Sequence, residues 1–535
     1  MGLLSFPEPD PDAVARWRAS GHWPNRLLDS WLDDAAAAHP ARRAVVEGRT
    51  RLTYAALADR VARTTAGLRG LGVGRGDVVS LQLPNWWEAL VVHLAVLRLG
   101  AVSNPLMPIL REREMRFALR TARSKVLVVP GVFRGFDHAA LGRTLREELD
   151  DLAHLVVVRG DGELRFDALD GDDPAAAPGR EPTDPAVLLY TSGTESDPKG
   201  AVHCHETLAA EDASMIAHLG LTADDVVWMP SPVAHVTGVL YGFHLATMLA
   251  TTVVYQDVWD PGAALALVER ERCSVTVAAT PFLHGIVHHP DRDAHDLSSL
   301  RVFACGGADV PPGLVLDATA ALDCLVVRVY GSTEIPTATA GHASDPPAQR
   351  AGTDGRPVGA AELRVVDETG TDLPSGTAGM LLARGPEMFA GYLGRPSPFE
   401  DGWFPTGDLG SLDDDGFLTV TGRSKDIILR GGENLSAKEI EDLLYTHPDV
   451  ADVVVVAVPD PVMTERACAV VVPRPGAEVT LASLGAFLLG QGVARQKCPE
   501  RLEIVAELPR TPTGKVQKFK VRSALVSTNG GYSPT

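Results

Sequence analysis

The segment Tyr190-Thr191-Ser192-Gly193-Thr194-Glu195-Ser196-Asp197-Pro198-Lys199-Gly200 is unusually dense in hydroxylated residues and glycine. It follows the apolar run 187–189, and a helical pattern begins after it near His205, so we expect a loop at the end of a buried strand. Its hydroxyls, its glycines and one lysine would bring N–H groups and positive charge to one point. That arrangement suits a polyphosphate.

Two other interpretations of this loop stay open at this point. A Walker-type phosphate loop needs glycine directly before its lysine and Ser or Thr directly after it, whereas here Pro198 precedes Lys199 and Gly200 follows. A plain polar surface turn is built from the same Gly, Ser, Asp and Pro residues. Residues further along the chain have to decide between them.

Length and charge narrow the class of protein. With 535 residues the chain exceeds the usual size of one hydrophobic core, so we expect two domains or more. A net charge of -20 argues against nucleic acid or anionic membrane as the main partner, because those surfaces need clustered positive charge.

No apolar run approaches a membrane span, and the first residues lack the basic and long apolar regions of a signal peptide, so we expect a cytoplasmic protein. Six scattered cysteines without a CxxC pair indicate reduced structural thiols.

Hydrophobic periodicity predicts an α/β fold. Helices and strands alternate along most of the chain, which is typical of helices packed on a mostly parallel sheet. The predicted helices are 54–71, with Thr53 as its N-cap, 86–99 and 112–122. The predicted strands are 78–83, 125–129, 252–255, 274–279, 301–304 and 326–330. After Gly352 the period changes to two, and strands 362–366 and 379–384 around the turn 367–370 predict a small antiparallel, barrel-like subdomain.

Polar and glycine-rich clusters recur after predicted strands. In open α/β sheets, ligands bind beyond the carboxyl ends of the strands, so we expect several of these clusters to share one site. The clusters are Ala234-His235-Val236-Thr237-Gly238, Cys305-Gly306-Gly307-Ala308, Tyr330-Gly331-Ser332-Thr333-Glu334, Thr406-Gly407-Asp408, Gly422-Arg423-Ser424-Lys425-Asp426, Arg430-Gly431-Gly432-Glu433-Asn434 and Thr511-Pro512-Thr513-Gly514-Lys515.

With these motifs in this order, the chain resembles the AMP-forming acyl-CoA ligases of the adenylate-forming superfamily, which also contains luciferases and peptide-synthetase adenylation domains. The motifs look most like those of ligases for medium-chain or alicyclic carboxylic acids. The resemblance implies that ATP converts a carboxylic acid to an acyl-adenylate with release of pyrophosphate, and that the thiol of coenzyme A then displaces AMP. It also implies Mg²⁺ as a cofactor, a large N-terminal domain of layered α/β subdomains over 1–424, and a small mobile α+β C-terminal domain over 425–535.

The family pattern assigns roles to individual residues. The residues that would cradle the β- and γ-phosphates are Thr191, Ser192, Gly193, Thr194 and Lys199. Those that would bind the nucleotide are Gly306, Gly307, Ala308, Tyr330, Gly331 and Ser332, with Tyr330 beside adenine. Thr333 would contact the α-phosphate, Glu334 would hold Mg²⁺, and Asp408 and Arg423 would hold the ribose. His235 would line the acyl channel, Gly431 and Gly432 would admit pantetheine, Lys425 would be the hinge, and Lys515 would be the adenylation lysine.

Each assignment has a plain structural alternative. Tyr330 could be a core aromatic, Glu334 a helix-start carboxylate and Lys515 part of a solvated basic face. Asp408 with Arg423 could be a buried ion pair, His235 a structural histidine, and the two glycines at 431–432 an ordinary turn. His203 with His205, and His288 with His289, lack acidic or cysteine partners at a convincing spacing, so we assign no zinc.

One departure from the family pattern bears on function. Relatives commonly carry Thr-Thr-Gly before Pro-Lys-Gly, whereas this chain has Glu195-Ser196-Asp197, and two acidic groups beside a triphosphate repel it. Three alternatives therefore stay open: an enzyme that mainly thioesterifies a preformed acyl-adenylate, transfer to a carrier protein or another nucleophile, and a binding protein without chemistry. The sequence does not report the acid, nor whether the chain is a monomer or a homodimer.

Overall fold

A computed structural model describes residues 4–171, 175–191, 198–307, 310–423, 426–430, 433–460, 463–493, 495–511 and 514–527. It contains two large sheets covered by helices, a small antiparallel sheet, and a further sheet with its own helices near the C-terminus. This is the mixed α/β architecture with a large N-terminal and a small C-terminal part that the sequence predicts.

The first sheet contains the strands on either side of the predicted phosphate loop. In spatial order its strands are Gly391–Tyr392, Gly200–Cys204, Pro185–Tyr190, Val102–Pro105, Val78–Leu81, Val126–Pro130, His154–Val158 and Leu164–Arg165. The pairs from Pro185–Tyr190 onward are parallel, whereas Gly200–Cys204 pairs antiparallel on both sides. Its helices include Tyr54–Gly70, Trp87–Arg98, Glu112–Ala122, His138–Glu148 and His205–Leu219. Thr53 caps the first of these by accepting the Ala56 amide, as the sequence predicts.

The second sheet is parallel at its centre. In spatial order its strands are Arg356–Pro357, Thr339–Ala340, Leu325–Tyr330, Val302–Gly306, Val275–Ala279, Val226–Met229, Thr252–Tyr255, Arg43–Glu47 and Thr50–Thr53. Its helices include Pro261–Glu271, Thr280–Val287, Pro312–Leu322 and Pro347–Gly352, and all four have proline at the first or second position. One apolar core joins side chains from both large sheets, which fixes the carboxyl ends of their strands relative to each other.

The C-terminal part of the chain contains two further sheets. The small antiparallel sheet consists of Glu362–Val366, Gly379–Arg384, Phe404–Leu412 and Leu418–Arg423. The C-terminal sheet consists of Glu433–Ser436, Ile427–Arg430, Thr464–Pro473, Val450–Asp460 and Arg501–Ile504, with helices Ala437–Leu444, Leu481–Gly490 and Lys518–Ser527. The C-terminal sheet has a separate apolar core on each face. The predicted boundary between 424 and 425 falls on residues that the structure does not describe, and it stays a prediction.

Sequence reasoning located most of these elements and missed others. The predicted bounds are correct for strands 252–255, 362–366 and 379–384 and for helix 112–122. The strand predicted over 78–83 ends at Leu81, although the Gln82 amide still donates to the Val128 carbonyl of the neighbouring strand at 2.9 Å. The sequence patterns did not predict four elements near the N-terminus: helices Pro11–Ala19 and Ser30–Ala38 and strands Arg43–Glu47 and Thr50–Thr53. Within the described ranges, no helix is both long enough and apolar enough to span a bilayer. The six cysteines are free thiols.

Candidate active site

A cavity of about 840 Å³ lies between the second sheet, the small antiparallel sheet and the C-terminal sheet. Tyr330 and Gly331 reach it from a strand end of the second sheet, Asp408 and Arg423 from the small sheet, and Lys515 from the C-terminal segment. Residues almost 200 positions apart thus face one space. This is the convergence that the motif order predicts.

Tyr330, Asp408 and Arg423 form one hydrogen-bonded group. The Tyr330 hydroxyl donates to Asp408 Oδ2 at 2.8 Å, and Arg423 Nε lies 3.0 Å from Asp408 Oδ1. Asp408 and Arg423 are also register partners on neighbouring antiparallel strands. Burial raises the pKa of Tyr330 well above its usual value, and the Asp408 charge raises it further. The ion pair foreseen as the structural alternative is therefore present, and it holds a carboxylate and an aromatic ring at the cavity wall.

Glycine is required by close backbone packing at two cavity positions. A Cβ built on Gly306 would overlap the carbonyl oxygen of Val329, and one on Gly331 would overlap the carbonyl oxygen of Pro336. Gly307 has φ of 75°, a left-handed conformation that residues with a Cβ rarely adopt. Gly307 and Gly331 line the large cavity together with Tyr330, and Gly306 lines the small pocket that adjoins His235.

The Thr333–Glu334 segment contacts the first sheet. His203 Nε2 lies 2.7 Å from the Thr333 carbonyl oxygen, and the Tyr392 hydroxyl donates to Glu334 Oε1 at 2.6 Å. Lys199 Nζ lies 4.9 Å from the centroid of the Tyr392 ring, so this ring contacts both the lysine of the phosphate loop and the predicted magnesium ligand. The Ser332 hydroxyl accepts the Glu334 amide at 3.2 Å.

His235 begins a short helix and lines a small pocket. Its Nδ1 accepts the Thr237 amide at 3.4 Å, and the adjoining pocket of about 10 Å³ is lined by Pro232, Phe282 and Gly306 among others. Burial lowers the pKa of His235 to about 4, and the positive charge of Lys515 lowers it further. The imidazole is therefore neutral near pH 7.

Lys515 reaches the cleft because its loop rests against the second sheet. Gly514, with φ of 86°, packs against Pro281 so closely that a Cβ would overlap the proline ring. The Lys515 amide donates to Thr511 Oγ1 at 3.0 Å. Lys515 lines the 840 Å³ cavity, and its positive charge contributes to the lowered pKa of His235. Lys515 therefore does not lie on a solvated basic face, which was the structural alternative for this residue.

Some expected site residues lie outside the described part of the chain, and others were missed. Those outside it are Ser192, Gly193, Thr194, Ala308, Lys425, Gly431 and Gly432. Thr191 lies at the base of the phosphate loop, where its amide donates to the Lys199 carbonyl at 2.9 Å. Sequence reasoning missed Tyr392, and it considered His203 only as a metal ligand. The strand pairing that brings both to Glu334 leaves no motif in the sequence.

The fold and this site define an adenylate-forming enzyme. Residues 32–393 match the AMP-binding enzyme family, and residues 439–515 match the C-terminal domain of AMP-binding enzymes. The chain belongs to this family and is an AMP-forming acid–thiol ligase.

Relatives and solved structures of several specificities resemble the chain. The medium-chain fatty-acid–CoA ligase of Escherichia coli (strain K12) is 35% identical, with 96% of this chain and 93% of that protein covered. The salicyl-AMP ligase / salicyl-S-ArCP synthetase of Mycobacterium tuberculosis is 34% identical, with 99% and 95% covered. ATP-bound MatB from Rhodopseudomonas palustris superposes with a TM-score of 0.85 at 29% identity, with 93% and 98% covered.

Proposed function

We propose that the protein activates a medium-chain, alicyclic or related carboxylic acid as its acyl-adenylate and transfers the acyl group to coenzyme A. The observation that carries the proposal is the position of Lys515, which faces the cavity together with Tyr330, Asp408 and Arg423 and acts on His235. A carboxylate is a poor electrophile, so the first step must neutralise phosphate charge while the acid oxygen attacks the α-phosphorus.

The residues around the cavity supply that neutralisation in the proposed first step. Lys515 stabilises the negative charge that develops at the α-phosphorus, and Thr333 donates a hydrogen bond to the same phosphate. Asp408 accepts hydrogen bonds from the ribose diol, and its position is fixed by Tyr330 and Arg423. Neutral His235 lines the path of the acyl group without adding charge beside the carboxylate.

Glu334 fits a magnesium ligand. Among the described residues, the Glu334 carboxylate accepts one hydrogen bond, from Tyr392 to Oε1, which leaves Oε2 for a hard cation. Mg²⁺ bound there with ATP would offset the charge of the phosphates. Lys199, next to the Tyr392 ring, adds a second positive charge on the same side.

The second proposed step needs coenzyme A to reach the adenylate. We propose that the C-terminal sheet rotates about Lys425 after adenylation, which withdraws Lys515 and presents Gly431 and Gly432 to the channel. Two separate apolar cores within this sheet support movement as a unit. The relative named as a salicyl-S-ArCP synthetase keeps a carrier-protein thiol as the alternative acceptor.

A carboxylic-acid panel tests the proposal. Each acid is incubated with ATP, Mg²⁺ and coenzyme A, and AMP and thioester are measured; medium-chain and alicyclic acids are expected to give both products in equal amounts. Acid-dependent exchange of labelled pyrophosphate into ATP separates true adenylation from thioesterification of a preformed adenylate. AMP release without thioester would point to another acceptor, and no exchange with any acid would refute the proposal.

A further inference from the structure

His203 is a buried histidine whose surroundings fix its tautomer. It lies in strand Gly200–Cys204, four residues after Lys199, and its side chain is shielded from solvent. A carbonyl oxygen only accepts hydrogen bonds, so Nε2, 2.7 Å from the Thr333 carbonyl oxygen, must carry the proton. Nδ1 then accepts, and it lies 3.1 Å from the hydroxyl of Thr207, which also lies 3.1 Å from the Cys204 carbonyl. Burial lowers the pKa of His203 to about 4, so this neutral donor persists at physiological pH.

In the part of the chain that the structure describes, two further hydrogen bonds join the bond from His203 in holding the Thr333–Glu334 segment against the first sheet. The Phe389 amide donates to the Glu334 carbonyl at 2.9 Å, and the Tyr392 hydroxyl donates to the Glu334 carboxylate at 2.6 Å. Tyr392 is the register partner of Ala201, two residues before His203 on the same strand. The Thr333 carbonyl, the Glu334 carbonyl and the Glu334 carboxylate are therefore held by His203, by Phe389 just before strand Gly391–Tyr392, and by Tyr392 within that strand.

This arrangement joins two parts of the site that come from different sheets. The strand of His203 begins directly after Lys199, whereas Thr333 and Glu334 follow a strand of the second sheet. A displacement of the Thr333 carbonyl would turn the peptide that links Thr333 to Glu334. Small displacements of groups that contact a reacting phosphate are costly to the rate.

We propose that His203 is a positioning residue for adenylation, which holds Thr333 and Glu334 in register with Lys199 through its Nε2–H bond to the Thr333 carbonyl. The inference rests on the proposed function, because it concerns the step in which those residues contact ATP. His203 itself touches no substrate, and it acts through Thr333.

The test compares substitutions that keep or remove the donor. In His203→Gln the side-chain amide can replace the Nε2–H donor, whereas His203→Leu removes it at similar volume. We expect kcat for ATP–pyrophosphate exchange to fall about tenfold in His203→Leu with the KM for the acid unchanged, and to stay within about threefold of wild type in His203→Gln.

His205 supplies the matched control. It is also buried and lies two residues away, but its Nδ1 accepts the Leu28 amide at 3.2 Å, a contact with the N-terminal segment and not with Thr333 or Glu334. His205→Leu should lower the melting temperature and leave kcat per folded enzyme unchanged. If His203→Leu does not fold, His203→Asn replaces it, because the shorter amide cannot reach the Thr333 carbonyl, and the same loss of kcat is expected.

Several outcomes would overturn the proposal. One is a kcat equal to that of the wild type in His203→Leu or His203→Asn. Another is an equal loss of kcat in His203→Leu and His203→Gln. The third is a loss of activity in His203→Leu that is fully explained by a smaller fraction of folded enzyme, as expected for His205→Leu. If the wild type exchanges pyrophosphate with no acid, the proposed function fails instead. The rise in melting temperature with Mg²⁺–ATP then tests His203 independently: it should be smaller in His203→Leu than in His203→Gln, and equal rises would refute the role.

Discussion

Asp408 is a buried carboxylate held by two partners, the Tyr330 hydroxyl and the Arg423 guanidinium. Replacing it with Asn keeps the shape and removes the charge, so Arg423 loses its counter-charge and the ribose loses a strong acceptor. We expect Asp408→Asn to raise the KM for ATP about tenfold or more, measured by pyrophosphate exchange. Asp414→Asn, in an exposed turn, is the control, and an unchanged KM in Asp408→Asn would remove Asp408 from the ribose site.

Glu211 is a buried carboxyl group that makes stability depend on pH. It accepts hydrogen bonds from the Tyr241 hydroxyl at 2.7 Å and the Thr337 amide at 3.2 Å, and burial raises its pKa to about 7. Between the unfolded value of 4.5 and about 7, the native state binds more protons than the unfolded state. The contribution of Glu211 to stability is therefore present at low pH and falls by roughly 3 kcal/mol as pH rises through this window.

Glu211→Gln tests this dependence because an amide does not ionise. We expect the melting temperature of Glu211→Gln minus that of the wild type to increase from pH 5 to pH 8, measured by calorimetry. Glu147→Gln, on an exposed face of helix His138–Glu148, should give a flat difference over the same range. A flat difference for Glu211→Gln as well would mean that the carboxyl group ionises without cost in the folded protein.

At the scale of elements, the end of strand Val302–Gly306 forms a wall of the site. Gly306→Ala would drive a methyl group into the Val329 carbonyl on the neighbouring strand, so one of the two strands must move. We expect a melting temperature lower by several degrees and a loss of pyrophosphate exchange of at least tenfold. The matched control is Gly313→Ala, in helix Pro312–Leu322, where an added Cβ meets nothing within 4 Å. Equal stability of both variants would contradict the packing described.

Sequence patterns predicted helices and strands well where one face of the element is buried or where an N-cap residue marks the start of a helix. Thr53 and the period of the following helix were sufficient to place its start, and the alternating strands 362–366 and 379–384 were placed without error. Short edge strands such as Gly391–Tyr392 were not predicted, because two residues carry no periodicity. That strand nevertheless brings Tyr392 to Glu334.

At the scale of the whole molecule, the position of Lys515 depends on how the C-terminal segment sits on the second sheet. Lys515→Ala should reduce adenylation at least a hundredfold, measured by pyrophosphate exchange, and largely spare thioester formation from a supplied acyl-adenylate, because in the proposed cycle the lysine leaves before the second step. Lys497→Ala, which removes an ion pair with Glu439, is the control within the same part of the chain. Equal losses in both half-reactions would contradict the rotation.

The class of fold, the order of the motifs and the residues expected to contact ATP could be predicted from the residues alone. Each motif depends on a local requirement: a glycine where backbone packs closely, a hydroxyl or a charge beside phosphate. The side chains outside the motifs that hold those residues in place became visible only in the folded chain. His203 and Tyr392 reach the Thr333–Glu334 segment through pairing of distant strands, and Glu211 becomes a buried acid through packing against Tyr241. Such contacts join residues 30 to 130 positions apart, and no local pattern records them.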